Sequence, residues 1–437
     1  MSLLHPGSQS AAPKVLDIFA VKPTQTGVLK RYYMEISPTS IQQGTSIELD
    51  YRSDTSAYCD LSGVLLCGKI RLVKANGQPM DANDVAFPIT MYPSSMIKQF
   101  DVKLGNKIIT LPQQMFPYKA LIKTLLTRGQ GSKSTQLGAQ GFFKHKRGHM
   151  NDVLVDGDIE YRERAALFQR SKWVDFAFTP PEEVFEMQKY LINNVRVNLR
   201  IILASPDFLI LSSDPAKTYK YEVSGVVLKM PLITVSPGVI LGHATGLQTQ
   251  NARYPYIRVE MSNQSVGRGE SNVNIYNICR KSVPSRLVFA IVSAEAYNGT
   301  QQTNPFYFKP YDILSVSLIV NDTVANGAPL EMNFDEAAAG GRQYVLAYNQ
   351  MFTSTGTHGS DFGNDITIED FKDGYTLFCY NLDPFENPGD YYNLIDTGFV
   401  RLSIQFRNPL AETVVLVIYS EHQDMFEIDA ARNVLVN

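Results

Sequence analysis

The densest run of chemically versatile side chains is a short basic stretch, Lys144-His145-Lys146-Arg147-Gly148-His149. His145 and His149 are four residues apart, so on a helix they would share one face, as metal-binding histidines do. The cations around them oppose a bound metal ion. Two interpretations stay open. The stretch is either a solvated basic loop or a contact through Lys144, Lys146 and Arg147 for anionic partners or nuclear import.

A second stretch, Gly129 to Ser134, has part of the pattern of a phosphate-binding loop. Such a loop needs a glycine directly before its lysine, and Ser132 stands there instead. The stretch also follows a predicted helix rather than a strand. Its composition therefore predicts a flexible loop without a bound phosphate.

Two acidic groups have oxygen ligands of the kind that Ca²⁺ prefers. They are Asp156-Gly157-Asp158 and the set Asp361, Asp365, Glu369 and Asp370. Neither has the spacing of a 12-residue calcium loop, so turn and surface roles are favoured. Neither the H-E-x-x-H nor the G-x-S-x-G pattern occurs. We therefore predict no catalytic residue, no metal site and no cofactor, and thus a protein that is not an enzyme.

The overall composition excludes several of the functions that remain possible. The formal net charge is -3, which argues against general binding of a nucleic-acid backbone and predicts no sequence-specific binding of nucleic acid. The four cysteines show no metal or disulfide spacing, so we expect free and mostly buried thiols. The first residues lack a basic start followed by an apolar run, so we expect no signal peptide, and no apolar run reaches the length of a membrane span.

The chain carries one pattern of elements twice, over Phe100 to Leu126 and over Leu314 to Phe352. In each copy a side-chain period of 2 changes to a period of 3.6, which predicts a strand, a tight turn and an amphipathic helix. The residues on one helix face are Tyr118, Leu121, Ile122 and Leu125 in the first copy, and Tyr344, Ala347, Tyr348 and Met351 in the second. The repeat indicates a duplicated β-sandwich, which favours a structural, self-assembling protein over an enzyme.

Short alternating segments separated by turns fill most of the remaining chain, as in sandwiches and barrels. A jelly roll needs about eight strands, and two fit within 437 residues. We therefore predict an all-β double jelly roll, formed by two eight-stranded β-sandwiches with short helices in the connections. The expected units are an N-terminal arm over 1–29, a first jelly roll over 30–205, a linker over 206–217 and a second jelly roll over 218–437.

Seven segments of the chain resemble the major capsid proteins of Maverick/Polinton elements and the related adintoviruses. They are LDIFAVKPTQTGV (Leu16 to Val28), VSPGVILGHATGL (Val235 to Leu247), NARYPYIRVEM (Asn251 to Met261), AEAYNGTQQTNPFYF (Ala294 to Phe308), YVLAYNQMF (Tyr344 to Phe352), DGYTLFCYNLDP (Asp373 to Pro384) and LAETVVLVIYSEHQDMFEIDAARNV (Leu410 to Val434). The chain differs from these capsid proteins mainly over Gly129 to Gly157 and around Gly267 to Ser271, where we expect surface loops.

The resemblance implies a hexon-like double jelly roll that forms homotrimers. These would tile an icosahedral shell as pseudo-hexagonal capsomers of a double-stranded DNA virus or virus-like element. It also implies penton and minor capsid proteins as further partners and a location in the virion. Assembly in the nucleus or the cytoplasm, and an internal membrane, stay open. The N-terminal arm would tie trimers together, so deletion of residues 2–14 should spare trimers and impair shells.

Two aromatic groups are candidates for the trimer interface: Phe306, Tyr307 and Phe308, and the pair Tyr391 and Tyr392. Obligate interfaces bury such side chains, but ordinary packing within one chain does so as well. Two other functions stay open. One is a non-viral carbohydrate- or protein-binding double β-sandwich, which predicts a monomer. The other is a hydrolase on paired jelly rolls, which needs convergent carboxylates or histidines.

Overall fold

The computed structural model describes residues 5–42, 45–52, 54–154, 158–279, 282–337, 340–361, 363–385 and 391–436. Two β-sandwiches follow one another along this chain. Alternating side chains build their sheets: in the strand Ser46–Tyr51, for example, Ile47, Leu49 and Tyr51 are buried while the intervening residues are half-exposed. This period of 2 directs one face of a strand into the core of its sandwich.

The first sandwich contains twelve of the strands in the described residues. They are β1 (Val28–Ile36), β2 (Pro38–Gln42), β3 (Ser46–Tyr51), β4 (Ala57–Cys59), β5 (Leu65–Lys74), β6 (Ala86–Pro88), β7 (Ile97–Leu104), β8 (Lys107–Ile108), β9 (Val174–Phe178), β10 (Val197–Leu203), β11 (Ile210–Ser212) and β12 (Tyr219–Val235).

The second sandwich contains the remaining described strands. They are β13 (Ala252–Val266), β14 (Asn272–Ile275), β15 (Arg286–Ser293), β16 (Ile313–Val320), β17 (Thr323–Val324), β18 (Leu330–Glu331), β19 (Phe378–Asn381), β20 (Val400–Phe406), β21 (Val414–Ile428) and β22 (Val434–Val436).

Eight principal strands have the same order in both sandwiches. In the first sandwich the two sheets run β1-β12-β5-β9 and β3-β10-β7-β8; in the second they run β13-β21-β15-β19 and β14-β20-β16-β17. Numbered along each sandwich, the strands lie in the orders 1-8-3-6 and 2-7-4-5. All of these pairings are antiparallel. This is the strand order of a jelly roll, and the predicted double jelly roll is confirmed.

Short helices lie in the connections, as expected. They are α1 (Tyr92–Ser95), α2 (Phe116–Thr127), α3 (Gln130–Lys133), α4 (Ile159–Phe168), α5 (Pro206–Leu209), α6 (Pro237–Gly246), α7 (Ala294–Asn298), α8 (Val345–Thr353) and α9 (Ile368–Lys372). Further single turns of 3-10 helix span Lys14–Leu16, Leu61–Gly63, Gln136–Gln140, Gln169–Ser171 and Glu183–Glu186.

The helices α2 and α8 both follow the fifth principal strand, so the predicted repeat of strand, turn and helix is confirmed. In the first copy a two-residue turn at Gly105 and Asn106 joins β7 to β8, and Gly105 has a φ of 56°. In the second copy Asn321 and Asp322 form the turn with φ of 48° and 65°. Asn and Asp tolerate this left-handed region better than most residues, so both turns suit tight hairpins.

Strand pairing places the boundary between the sandwiches later than the predicted linker. The residues 206–217 contain α5 and β11, and β11 pairs with β6. The strand β12 then pairs with β1, β4 and β5, so it belongs to the first sandwich. The prediction closed the first jelly roll after its seventh strand because prolines follow that strand. The eighth principal strand, β12, is required to fill the space between β1 and β5. The chain then passes to the second sandwich through α6.

The strands β15 and β21 are apolar on both faces. Every residue from Leu287 to Val292 is buried, and so is every residue from Val414 to Ser420. One face of these strands lines the core of the second sandwich, and α2 of the first sandwich contacts β21. Strands covered on both sides lose the alternation of polar and apolar residues, which explains the continuous apolar run near the end of the sequence.

The four cysteines form no disulfide: Cys59, Cys279 and Cys379 are buried and Cys67 is half-buried. Burial raises the pKa of Cys59, Cys279 and Cys379 to about 12. These thiols therefore stay protonated and act as small apolar side chains. Within the described ranges, no helix has the length and apolar character needed to cross a membrane.

Candidate assembly surface

Strand direction defines two ends of each sandwich. The start of β1 lies beside the end of β12, since Val28 pairs with Val235. In the second sandwich the start of β13 lies beside the end of β21, since Ala252 pairs with Ile428. We call this the arm end, because the segment 5–27 leaves the molecule there. The opposite end, the loop end, carries the long connections 109–173 and 325–377.

At the arm end the two sandwiches meet through polar contacts. The Tyr254 hydroxyl accepts a hydrogen bond from the Ile192 backbone N–H at 3.1 Å and donates to the Tyr190 carbonyl at 3.2 Å. The guanidinium of Arg432 donates to the Asn193 side chain at 3.0 Å. The start of the second sandwich is thereby held against the connection that precedes β10.

At the loop end the predicted basic residues meet the predicted acidic group. Lys144 Nζ lies 2.8 Å from Asp370 Oδ2, and Arg147 pairs with Glu369. Lys146 pairs with Asp158 of its own connection. Asp156 and Gly157 lie outside the described residues. The three cations therefore have carboxylate partners within the chain, and two of these pairs join the sandwiches.

The histidines of the basic stretch do not share a site. His145 is buried, and its Nε2 lies 3.0 Å from a guanidinium nitrogen of Arg164. Burial lowers the pKa of His145 well below its usual value, and Arg164 lowers it further. His149 is exposed and lies 2.6 Å from Asp152. A neutral His145 that accepts a hydrogen bond from Arg164 explains this arrangement without a metal ion.

An aromatic cluster fills the middle of the junction between the sandwiches. Phe306 is buried and packs edge-on against Tyr118 of α2 and Phe208 of α5, with ring centroids 5.6 and 6.1 Å apart. Phe308 is also buried, and its ring centroid lies 6.4 Å from that of Tyr118. Tyr307 is half-buried and donates a hydrogen bond to Asp373 at 2.7 Å. The structure thus places this predicted group inside the chain, where it joins the two sandwiches.

Two buried amides tie the backbones of the sandwiches together. Gln301 donates to the Tyr219 carbonyl at 2.8 Å and accepts from the Tyr219 N–H at 3.0 Å. Asn304, which is fully buried, donates to the Met150 carbonyl at 2.9 Å. A side-chain amide can satisfy a backbone N–H and a carbonyl at once, as a strand does. Sequence analysis missed both residues, and only the polar run Gln301 to Asn304 next to an aromatic run could have drawn attention to them.

A buried ionic group lies in the first sandwich next to the junction. Lys119 Nζ lies 2.7 Å from Glu182 Oε2 and 2.8 Å from Glu183 Oε2, and all three side chains are buried. Burial alone would lower the pKa of Lys119, but the two carboxylates raise it above the usual lysine value. Burial raises the pKa of Glu182 to about 8, although Lys119 opposes this change. One lysine therefore lies between two acidic side chains, and burial makes the Glu182 carboxyl harder to deprotonate than an exposed glutamate.

The arm end exposes a run of apolar side chains over Val15 to Val21. Phe19 is 91% exposed and Val21 is 90% exposed. Lys14 and Lys22 flank the run, which begins in a single 3-10 turn and continues without strand pairing in the described residues. Five large apolar side chains in this run are exposed: Val15, Leu16, Ile18, Phe19 and Val21. Such exposure is costly in water and is typical of a segment that becomes buried on association.

A second exposed apolar segment lies at the same end, in the connection between β19 and β20. Tyr391 and Tyr392 are each 71% exposed, and Leu394 is 94% exposed. Phe399 and Ile395 are exposed as well. The predicted pair Tyr391 and Tyr392 is thus available for contact with another chain, whereas Phe306 and Phe308 are not. The arm end is the candidate assembly surface.

The Gln301 contacts predict a specific loss of stability. Gln301→Ala leaves the N–H and the carbonyl of Tyr219 unpaired in a buried site, and each unsatisfied group costs about 1–3 kcal/mol. We expect a lower free energy of unfolding in urea by at least about 1 kcal/mol. Gln302→Ala is the matched control, because Gln302 is exposed next to it. Equal stability of the two variants would contradict the role given to Gln301.

The buried ionic group predicts a pH dependence. A carboxyl whose pKa is raised from 4.5 to about 8 in the folded chain stabilises it fully below pH 4.5. This stabilisation is lost as the pH rises through about 8. We therefore expect Glu182→Gln to lose less stability than the parent chain between pH 5 and pH 9, as measured by urea unfolding. The histidines are common to both chains, so the difference between the curves isolates Glu182.

The control for this experiment is Glu186→Gln, which removes an exposed partner of Lys123. Its stability should follow the parent curve over the same pH range. A parallel course of the Glu182→Gln and parent curves would show that Glu182 does not hold its proton.

Comparisons with known proteins agree with this architecture. No known family model matches the chain. An uncharacterized protein of Caenorhabditis elegans is 22% identical over 397 residues, which cover 88% of this chain and 91% of that protein. Among solved structures, a chain of the Sputnik virophage has a TM-score of 0.66 at 11% identity and covers all of this chain and 94% of its own length.

Two further capsid structures are similar over nearly their whole length. The mavirus major capsid protein has a TM-score of 0.55 at 12% identity, with 100% of this chain and 97% of that protein covered. The PBCV-1 virus capsid has a TM-score of 0.57 at 10% identity, with 96% and 99% covered. At these identities the likeness concerns the fold: the chain has the double jelly roll found in viral major capsid proteins.

Proposed function

We propose that this chain is a major capsid protein, which forms trimeric, pseudo-hexagonal capsomers that tile an icosahedral shell. The observation that carries the proposal is the duplication: two sandwiches with one strand order, joined in one chain whose full length matches capsid folds. A trimer of such a chain presents six similar sandwiches around its axis. Six similar units approximate sixfold symmetry, which suits packing in a hexagonal lattice.

The junction between the sandwiches supports this proposal physically. A pseudo-hexagonal outline requires that the two sandwiches keep a fixed orientation, since a hinge between them would distort the ring. The aromatic cluster around Tyr118, the buried amides of Gln301 and Asn304, and the ion pairs of Lys144 and Arg147 all act against such a hinge. Each sandwich is thus held to the other at both ends and in the middle.

A closed trimer needs a heterologous interface, in which different surfaces of neighbouring chains meet. We assign Tyr391 and Tyr392 to contacts between chains, because obligate interfaces bury aromatic side chains that a single chain leaves exposed. The apolar arm around Phe19 would then join neighbouring trimers. The finer proposal, from the resemblance of the sequence, is a capsid protein of a Maverick/Polinton element or an adintovirus-type virus, with penton and minor capsid proteins as partners.

The proposal is tested by the mass of the protein in solution. Light scattering should give three times 48.9 kDa, and negative-stain images of the same sample should show hexagonal outlines or shells. The physical reason is the exposed apolar surface, which association removes from water. A monodisperse monomer under all conditions of salt and pH would contradict the proposal and favour a binding module, for which glycans would be screened.

The arm predicts a separation of trimer formation from shell formation. Serine in place of Val15, Leu16, Ile18 and Phe19 removes most of the exposed apolar surface of the arm without touching either core. We expect trimers of unchanged mass and a strong loss of shells in negative stain. Alanine at Gln9 and Ser10 of the same arm is the control and should leave shells intact. Normal shells from the serine variant would show that the arm does not join trimers.

A further inference from the structure

The connection between the sixth and the seventh principal strand has the same length in both sandwiches. It spans 179–196 between β9 and β10, and 382–399 between β19 and β20, so each connection has 18 residues. Position by position, the run Tyr190-Leu191-Ile192-Asn193 of the first corresponds to Asn393-Leu394-Ile395-Asp396 of the second. The two connections are therefore counterparts within the duplicated fold.

The first connection lies against β13, the first strand of the second sandwich. The Ile192 backbone N–H donates to the Tyr254 hydroxyl at 3.1 Å, and Lys189 donates to the Arg253 carbonyl at 2.9 Å. The turn Glu183–Glu186 of the same connection also contacts β13. The junction within one chain thus places a connection of one sandwich on the first strand of the next.

The two connections differ in burial. Ile192 is 4% exposed, whereas its counterpart Ile395 is 67% exposed. Leu191 is fully buried and also pairs with Cys59 of its own sandwich, whereas its counterpart Leu394 is 94% exposed. The chain has no third sandwich that could cover the second connection, so its apolar side chains stay in contact with water.

The first strands β1 and β13 are counterparts as well. Each lies at the edge of its sheet and pairs with the last strand of its sandwich. Tyr33 lies opposite Pro231, four positions before the end of β12, and Tyr256 lies opposite Asp424, four positions before the end of β21. Tyr33 and Tyr256 therefore occupy the same position in the two sandwiches.

Only one face of these two strands differs in exposure. Tyr256 shares a strand face with Tyr254, because side chains two positions apart point the same way, and this face meets the first sandwich. Tyr256 is 9% exposed, whereas Tyr33 is 51% exposed. On the opposite face, Ile257 and its counterpart Met34 are 49% and 43% exposed. The face of β1 around Tyr33 is thus the uncovered equivalent of a surface that is covered in the second sandwich.

We propose that the face of β1 around Tyr33 is the docking surface for the connection 391–399 of a second copy of this chain. This inference rests on the proposed pseudo-hexagonal trimer. Six similar sandwiches in a ring have similar neighbours on both sides, so the contact within a chain recurs between chains. The partner is a second copy, because the counterpart of this surface already receives a connection of the same length and related sequence.

The chemistry of the two surfaces fits this contact. The connection presents exposed aromatic and aliphatic side chains, and β1 presents Tyr33 together with Leu29, which is 60% exposed. The exposed side chains of the connection are Tyr391, Tyr392, Leu394, Ile395 and Phe399. Obligate interfaces bury such groups. Since the two surfaces differ, the contact is heterologous, and three such contacts close a ring.

One polar contact of the junction is not repeated. The counterpart of Tyr254 in β1 is Arg31, since each lies opposite the residue two positions before the end of the last strand. Arg31 pairs with Asp60 at 2.9 Å, and a guanidinium cannot accept a hydrogen bond from a backbone N–H. The contact between chains therefore depends mainly on the burial of apolar surface.

The test compares two neighbouring positions of β1 in the full chain. Tyr33→Glu places a charge in the proposed contact, whereas Met34→Glu places the same charge on the opposite face at similar exposure. Sedimentation equilibrium over a dilution series gives the concentration at which half of the chain is trimeric. We expect Tyr33→Glu to raise this concentration at least about tenfold, because a buried unpaired charge opposes association. Met34→Glu should keep the parent value.

A second variant tests the other side of the contact. Serine in place of Leu394 and Ile395 removes apolar side chains that are exposed in the single chain, so folding of each sandwich should not change. Circular dichroism and the thermal midpoint of the diluted monomer check this directly. We expect the same direction of change as in Tyr33→Glu, that is, trimers that form only at higher concentration.

The outcomes separate this inference from the proposed function. A parent chain that is monomeric at every concentration refutes the trimer and, with it, the docking surface. A trimeric parent together with an unchanged Tyr33→Glu variant refutes the docking surface and leaves the trimer standing. Equal weakening by Tyr33→Glu and Met34→Glu contradicts the face of β1 assigned to the contact.

Discussion

In both sandwiches the last strand lies in the centre of its sheet. The strand β12 pairs with β1 on one side and β5 on the other, and β21 lies in the same way between β13 and β15. The first and the third strand of each sandwich are therefore joined only through the last strand, which comes at the end of that sandwich's sequence. Backbone N–H and C=O groups in the middle of a sheet must be hydrogen-bonded. The sheet is therefore complete only when this last strand is in place. The last strand also brings both ends of each sandwich sequence to one place, the arm end.

The second consequence concerns the space between the sandwiches. Since β15 and β21 are apolar on both faces, the outer face of their sheet must also be covered, and α2 of the first sandwich contributes to this cover. Polar contacts then fix the relative orientation at the arm end and at the loop end, where carboxylates of one connection neutralise cations of the other. These charged groups therefore neutralise one another within the chain. What remains exposed for other molecules is the set of apolar segments at the arm end.

Side-chain periodicity predicted most of the fold. Alternation showed many strands, and the change from period 2 to period 3.6 showed the repeat around α2 and α8. These signals are local, because each depends on residues a few positions apart. The boundary of the first sandwich was placed too early for the same reason. Prolines in 206–217 signal an interruption, but only the pairing of β12 with β1, about two hundred residues earlier in the chain, shows to which sandwich that strand belongs.

The candidate assembly surface could likewise be predicted from the sequence only in part. The sequence by itself determined that the chain is a duplicated, β-rich protein, that its arm and the pair Tyr391 and Tyr392 carry apolar side chains, and that Lys144, Lys146 and Arg147 form a basic stretch. Tertiary structure alone decided that Phe306 and Phe308 are buried and that the basic stretch meets Glu369 and Asp370. Burial and charge pairing are properties of residues brought together from distant parts of the chain. Composition and spacing describe only what a residue can do, whereas its neighbours in the folded chain determine what remains free to bind.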